Sequence, residues 1–227
     1  MIKTIIITGS RGLIGKELTK GLEKNYNIIE LDLIFGHDLS NEDFVIKFFK
    51  ENKADYLVNL FALNHRMDSN LSEKSTLFNI SLKSFKDYLD INLVALFSVC
   101  REFAKNNLYG GIINFSSTYG LGSPIPSLYK GREKHIAYGV SKAGVIQLTK
   151  HLASHLAPNI RVNCIAPGGV LSNQSEEFKK EYSKKTPMKR MMKNGSELLG
   201  IVEYLCSEKS SYTTGAVFTI DGGWTIW

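Results

Sequence analysis

The chain has 227 residues, 43% hydrophobic and 22% charged, which is enough for one sizeable core and too few for two comfortable domains. Cys100, Cys164 and Cys206 are odd in number, far apart and set among apolar residues, so they read as reduced core residues and argue against a disulfide framework or a metal site. The net charge of +6 gathers in residues 179–193, where seven Lys/Arg face one Glu, without any helix-turn-helix or RNP-like pattern that would point to nucleic acid.

That basic stretch reads either as a solvated face or as a surface attracting an anionic substrate, through Lys184, Lys185, Lys189 and Arg190. No apolar run approaches the ~20 residues needed to cross a bilayer. The chain reaches strand-like sequence at once, with no signal-peptide pattern before it. A cytoplasmic protein with no membrane partner is expected.

Residues 3–8 (KTIIIT) form a short continuous apolar run, the pattern of a strand buried on both faces. It runs into Gly9-Ser10-Arg11-Gly12-Leu13-Ile14-Gly15 and then a helical stretch. Strand, glycine turn and helix together are the context of a dinucleotide-binding turn. Gly9 permits the tight turn, Gly12 lets the backbone approach a pyrophosphate, and Gly15 lets the helix pack on the strand. The helix N-terminus then faces the anion.

Residues 27–33 (NIIELDL) predict a second strand, with Asp32 seventeen positions after Gly15. An acid there accepts hydrogen bonds from the ribose hydroxyls of NAD and repels the 2′-phosphate of NADP. Arg11 is the counter-argument, since it could pair with that phosphate. NAD is favoured, with NADP as the alternative. Asp38 is read as an adenine contact or as the cap of a helix over 41–52.

A third strand is predicted over 54–62, with Asn59 a polar residue in an apolar run and a structural amide by default. Residues 63–82 read as a polar loop holding His65, Arg66 and Asp68, none given a catalytic role. An amphipathic helix over 83–107 follows, its apolar face interrupted by Asn92, either a structural hydrogen bonder or part of a proton path. Residues 111–117 (GIINFSS) make a fourth strand ending in two serines, and alternation sends Ser116 and Ser117 to opposite faces.

Within the next helical stretch, AYGVSKAGVIQL, Tyr138 and Lys142 lie four apart and hence on one face. A fixed positive charge lowers a phenol's pKa from its usual ~10, making Tyr138 a proton donor and acceptor for an alcohol/carbonyl pair. Further strands are predicted over 160–165 and 216–220, with a helix over 196–206. Alternating short apolar strands and helices give an α/β fold: a single doubly wound Rossmann-type domain spanning 1–227, its parallel sheet of about seven strands flanked by helices.

The ordered pieces TGSRGLIG (8–15), LD (31–32), LVNLFA (57–62), IN (91–92), INFSS (113–117), YGVSK (138–142), RVNCIAPGGV (161–170) and TGAVFTIDGG (214–223) resemble the short-chain dehydrogenase/reductase family along the whole chain. The resemblance implies an NAD(P)-dependent oxidoreductase that interconverts an alcohol and a carbonyl by hydride transfer. It places catalytic roles on Ser117, Tyr138, Lys142 and Asn92. Ser117 would hold the substrate oxygen, Lys142 would tune Tyr138 and hold the nicotinamide ribose, and Asn92 would hold a water linking Lys142 to solvent. Cofactor contacts would fall on Gly9, Ser10, Arg11, Gly12, Ile14, Gly15, Asp32, Asp38, Leu39, Asn59, Tyr138, Lys142, Pro167, Gly168 and Val170. A small-molecule substrate and a homodimer or homotetramer are implied, with a substrate loop near 171–195.

The sequence also departs from the compact members of that family. Gly9, Gly12 and Gly15 have the spacing of the extended, nucleotide-sugar-modifying type, and Ser116-Ser-Thr-Tyr119-Gly120 with Pro124 resembles the same group. Asn59-Leu-Phe-Ala62 stands where the family has NNAG. Ser117 and Tyr138 are 21 residues apart, so an insertion near 121–136 is expected to overhang the cleft. There Tyr129, Lys130, Arg132 and His135 are either substrate contacts or part of a surface excursion. These mixed features are similar to oxidoreductases of surface-glycan and flagellin modification, and a sugar or sugar derivative is the expected substrate. The alternatives are a nucleotide-sugar epimerase or dehydratase, and a non-catalytic dinucleotide-binding regulator on the same fold.

Overall fold

The computed structural model describes residues 2–64, 76–129 and 133–227. The isoleucines of β1 (Thr4–Thr8) are fully buried because β1 runs in the middle of a parallel sheet covered by helices on both faces. After the glycine turn come α1 (Gly15–Leu22), β2 (Asn27–Leu31), α2 (Glu42–Glu51) and β3 (Tyr56–Asn59). A long helical run follows: α3 (Leu82–Leu89), a π-helical turn (Asp90–Ala95) and α4 (Leu96–Asn106). Then come β4 (Gly110–Phe115), α5 (Thr118–Leu121), α6 (Ile136–Leu156), β5 (Ile160–Pro167), α7 (Glu176–Lys185), α8 (Leu199–Leu205) and β6 (Val217–Ile220).

Among the described residues the sheet has six strands in the order β2-β1-β3-β4-β5-β6, all parallel. About seven were expected. The chain passes from β2 through α2 directly to β3 on the far side of β1, with no further strand–helix unit to extend the sheet past β2. Strand alternation splits the core into two layers. Ile6, Leu57, Ile112 and Val162 point to α2, α4 and α6, where they meet Phe49, Phe103 and Val145. Ile5, Ile7, Val58, Ile113 and Ile165 point to α1 and α8, where they meet Leu18, Leu22 and Val202.

The chain leaves β1 toward β2 on one side and returns to β3 on the other, which opens a crevice at the C-terminal ends of β1 and β3. Gly9 turns there with φ +65°, and a Cβ on it would lie 2.6 Å from the Phe61 nitrogen. Only a glycine fits that conformation and that contact.

A buried polar chain crosses the middle of the sheet. The Thr8 hydroxyl donates to Asn59 Oδ1 (3.1 Å), Asn59 Nδ2 to Asn114 Oδ1 (2.9 Å), and Asn114 Nδ2 to Thr149 Oγ1 (3.1 Å). Asn59 Nδ2 also approaches Cys100 Sγ at 3.4 Å. The side chain of Asn59 is therefore engaged inside the sheet as a structural amide. The three cysteines are all buried and unpaired. Burial pushes the Cys100 thiol up to about 12, with the Asn114 and Asn59 amides pulling weakly the other way. Asn59→Ala would orphan groups on β1 and β4, at a cost of about 1–3 kcal/mol each. Urea denaturation should show a loss in that range, larger than for an exposed Asn→Ala control.

Candidate active site

The site is built where β4 ends against α6. Ser116 and Ser117 diverge as the alternation requires. Ser116 Oγ donates to the Lys142 carbonyl (2.7 Å), fastening strand to helix, while Ser117 turns the other way and caps α5 by accepting from the Tyr119 amide (3.1 Å). Lys142, only 5% exposed, donates from Nζ to the Phe115 carbonyl (2.8 Å). The contact closes because α5 carries Gly120, whose Cβ would lie 2.5 Å from Ser116 Oγ and 2.7 Å from the Lys142 carbonyl oxygen.

The structure brings Ser117, Tyr138 and Lys142 together, with an electrostatic arrangement that differs from the expected one. Tyr138 is raised above the usual phenol value, chiefly by burial; a hydrogen bond with Ser117 pulls it down and Tyr88 pushes it up. Lys142 Nζ lies 5.9 Å from the centre of the Tyr138 ring and bonds to Phe115, and burial lowers it to about 8. The ammonium is thus held by the strand end and is not bonded to the phenol, so the expected priming of Tyr138 by Lys142 is absent from this protein-only geometry.

Asn92 sits in the π-helical turn, a distortion frequent at functional sites. Its amide is fully engaged. Oδ1 accepts from the Leu63 amide (2.6 Å), and Nδ2 donates to the Leu63 carbonyl (3.1 Å) and to Ser141 Oγ (3.0 Å). Asn92 braces the loop after β3 against α6, and its contacts reach Ser141 and not Lys142.

At the glycine turn, α1 begins at Gly15 with Ile14 as its N-cap and no side-chain cap. The first N–H groups of such a helix suit an anion. Ser10 is fully buried and its Oγ has no partner among the described residues. Asp32 accepts from the Arg11 amide (2.8 Å) and the Ile34 amide (3.1 Å), which ties the turn to the end of β2. The Arg11 guanidinium reaches Glu30 (2.6 Å) and lies over the Phe35 ring, so it is occupied and not offered to a phosphate. An uncapped helix, an orphaned hydroxyl and an acid beside the turn fit a dinucleotide with free ribose hydroxyls.

The other residues expected at the cofactor have the following neighbours in the fold. Asp38 accepts from Ser40 (2.9 Å and 2.6 Å) and the cap of α2 is Asn41, so Asp38 shapes a turn. Leu39 packs in the core with Val45 and Phe49. Pro167 ends β5, Gly168 donates to the Ile220 carbonyl (2.9 Å), and Val170 bridges Met192, holding the turn beside β6.

The insertion is an aromatic buttress. Tyr129 is buried and its hydroxyl meets that of Tyr119; it packs on Phe178 of α7, beyond which Tyr182 stacks on Trp224 at 4.2 Å. Tyr182 accepts from the Gly169 amide (2.7 Å), which couples α7 to the turn after β5. His135 caps α6, bonds Ser84 (3.0 Å) and stacks on Tyr88, which meets Tyr138 edge-on. Lys130 and Arg132, like His65, Arg66 and Asp68, lie outside the described residues. Part of the basic stretch is neutralised by ion pairs: Lys179 pairs with Glu176, Lys184 with Glu181, and Arg190 with Glu197. Two of these acids lie just outside the window that made it look so basic.

Sequence reasoning missed Lys134. Its Nζ lies 4.4 Å from the centre of the Tyr138 ring, closer than that of Lys142. The spacing that selected Lys142 also selects Lys134, four residues on the other side of the tyrosine. Gly120→Ala should strain the α5–α6 contact, with about 1–3 kcal/mol lost in denaturant unfolding and turnover reduced as Ser117 is displaced.

The family described as enoyl-(acyl carrier protein) reductase matches residues 13–225. The 3-oxoacyl-[acyl-carrier-protein] reductase FabG of Aquifex aeolicus is 30% identical, over 97% of this chain and 86% of the relative. Glucose 1-dehydrogenase 2 of Bacillus subtilis is 30% identical over 99% of this chain and 95% of its own. The post-translational flagellin modification protein A of Campylobacter coli is also 30% identical, covering 99% and 98%. Among solved structures, the short chain dehydrogenase of Leptospira borgpetersenii with bound NAD+ superposes with a TM-score of 0.86 at 30% identity, covering 99% of this chain and 93% of that one. With the parallel sheet, the glycine turn and the Ser117–Tyr138 pair in one crevice, these matches place the chain in the short-chain dehydrogenase/reductase family of oxidoreductases.

Proposed function

We propose that this protein interconverts an alcohol and a carbonyl using NAD, with Tyr138 as the general acid/base. The observation that carries the reading is the convergence of Ser117, at the end of β4, on the phenol of Tyr138 in α6, with Lys142 Nζ 5.9 Å from the centre of the tyrosine ring and held by the Phe115 carbonyl. When bound, the nicotinamide supplies the two-electron hydride acceptor or donor.

The chain's own groups handle the proton. In the oxidative direction the Tyr138 oxygen takes the hydroxyl proton of the substrate as the carbon loses its hydride; in reduction it returns one to the carbonyl oxygen. Ser117 donates to that same oxygen and keeps it within reach of the phenol. Lys142, lowered to about 8 by burial, stands beside the phenol without bonding to it, its ammonium held by the Phe115 carbonyl. Burial opposes that charge, so the balance depends on Lys142 remaining protonated. Activity in the oxidative direction should therefore need a Tyr138 that ionises more easily than the protein-only geometry allows.

NAD is preferred over NADP because Asp32 stands at the end of β2 and Arg11 is paired with Glu30. The uncapped start of α1 and the buried Ser10 hydroxyl would hold the pyrophosphate end. A polar, sugar-like substrate is supported by the names of the glucose-oxidising and flagellin-modifying relatives. The exposed apolar side chains of Leu82, Val94 and Phe97 on one helical run support assembly into a homodimer or homotetramer.

Tyr138→Phe should lower kcat by about 10³-fold and leave NADH affinity within about twofold; stopped-flow turnover and fluorescence titration measure the two, and near-normal turnover refutes the acid/base assignment. Asp32→Ala should shift the kcat/KM ratio toward NADP by about tenfold, worth about 1.4 kcal/mol. An unchanged ratio would remove Asp32 from the adenosine ribose.

A further inference from the structure

We infer that Lys134 is a substrate-specificity residue, and that the preferred substrate carries a carboxylate a bond or two from the carbon that gains or loses hydride. This inference rests on the alcohol/carbonyl reading above and names the substrate class for the same site.

Four observations converge. Lys134 Nζ lies 4.4 Å from the centre of the Tyr138 ring, so the only fixed charge it brings is directed at the reacting centre. The side chain is half-buried, and burial alone lowers it to about 8. No carboxylate among the described residues answers it: Glu133, its neighbour in sequence, instead accepts from the Leu77 amide at 2.7 Å. Its hydrogen-bond acceptor is neutral, the Oδ1 of Asn64. A partly desolvated cation without an anion is costly, and proteins ordinarily pair such charges. Lys179 and Lys184 of α7 show the ordinary outcome in this chain, each with a glutamate one turn away.

The support beneath Lys134 is rigid. Asn92 holds both the amide and the carbonyl of Leu63, which fixes the backbone just before Asn64. Asn64 in turn receives Lys134, and its own Nδ2 remains available among the described residues as a second donor. One ammonium and one amide make a singly charged, two-donor site. That suits a carboxylate better than a phosphate dianion, which is commonly held by forked guanidinium groups or by several donors. Because the ammonium lies over the face of the Tyr138 ring, an anion that it binds stands close to the group that serves the reacting carbon.

The test titrates NADH-loaded enzyme with glycolate and malonate, using the neutral glycolamide and malonamide as matched controls and calorimetry as the readout. Wild type should bind the carboxylates saturably and at least about tenfold more tightly than the amides. Lys134→Gln and Lys134→Met should lose that preference, and Lys134→Arg should keep most of it, with NADH affinity unchanged throughout. Saturable binding equal for carboxylate and amide, no carboxylate binding by wild type, or a preference that survives Lys134→Gln each overturns the inference. The wild-type comparison decides it even if a variant fails to fold. Failure of wild type to bind NADH overturns the dinucleotide reading and this inference together, whereas NADH binding without carboxylate binding overturns this inference alone.

Discussion

Everything at the site depends on how the end of β4 is clamped to α6. Two hydrogen bonds run in opposite senses across the junction, Lys142 Nζ to the Phe115 carbonyl and Ser116 Oγ to the Lys142 carbonyl. Each satisfies a buried polar group that would otherwise cost about 1–3 kcal/mol, and together they fix the helix against the strand in both translation and rotation. Ser117 is the next residue on the strand and Tyr138 lies one turn earlier on the helix, so the clamp sets their meeting. Gly120 is what lets the backbones approach closely enough for the clamp to close.

The clamp also explains the charge pattern. Binding the Lys142 ammonium to a carbonyl in a buried place keeps a positive charge near the phenol without a salt bridge that would quench it. A carboxylate partner would stabilise the lysine more, but would cancel its field at Tyr138. Lys134 repeats the arrangement from the other side, with a neutral amide as its acceptor. Two lysines near Tyr138 thus have neutral partners, while Lys179 and Lys184 of the exposed α7 are paired with glutamates.

Aromatic packing covers the far end of the site. Tyr129 from the insertion, Phe178 and Tyr182 from α7, and Trp224 from the turn after β6 form one cluster over the C-terminal edge of the sheet. Segments distant in sequence thus move or hold as a unit, and the Tyr182 bond to the Gly169 amide carries that unit to the turn after β5.

The α/β class, the glycine turn and the Tyr138–Lys142 pair were legible in the sequence because each is a local pattern: period-two burial on strands, a three-glycine spacing, a four-residue helical repeat. The six strands lie where apolar runs predicted them, with ends moved by one to three residues where hydrogen-bonded turns take over, as Asp32 does when it caps the turn after β2. Other features were not legible because they depend on partners far along the chain. Asn59 could be read as a structural amide, but its partners Thr8 and Asn114 could not be named, nor could the packing of Leu39 in the core and the bond of Asp38 to Ser40. Arg190 lost its apparent freedom to Glu197. Lys134 shows the limit most sharply. It has the same spacing from Tyr138 as Lys142 but precedes the helix, whose cap is His135, so spacing named it as a candidate without showing that it lies over the tyrosine ring. Sequence determined which residues can do proton chemistry; tertiary packing decided which charges reach it, because desolvation and pairing are set by neighbours that only the folded chain supplies.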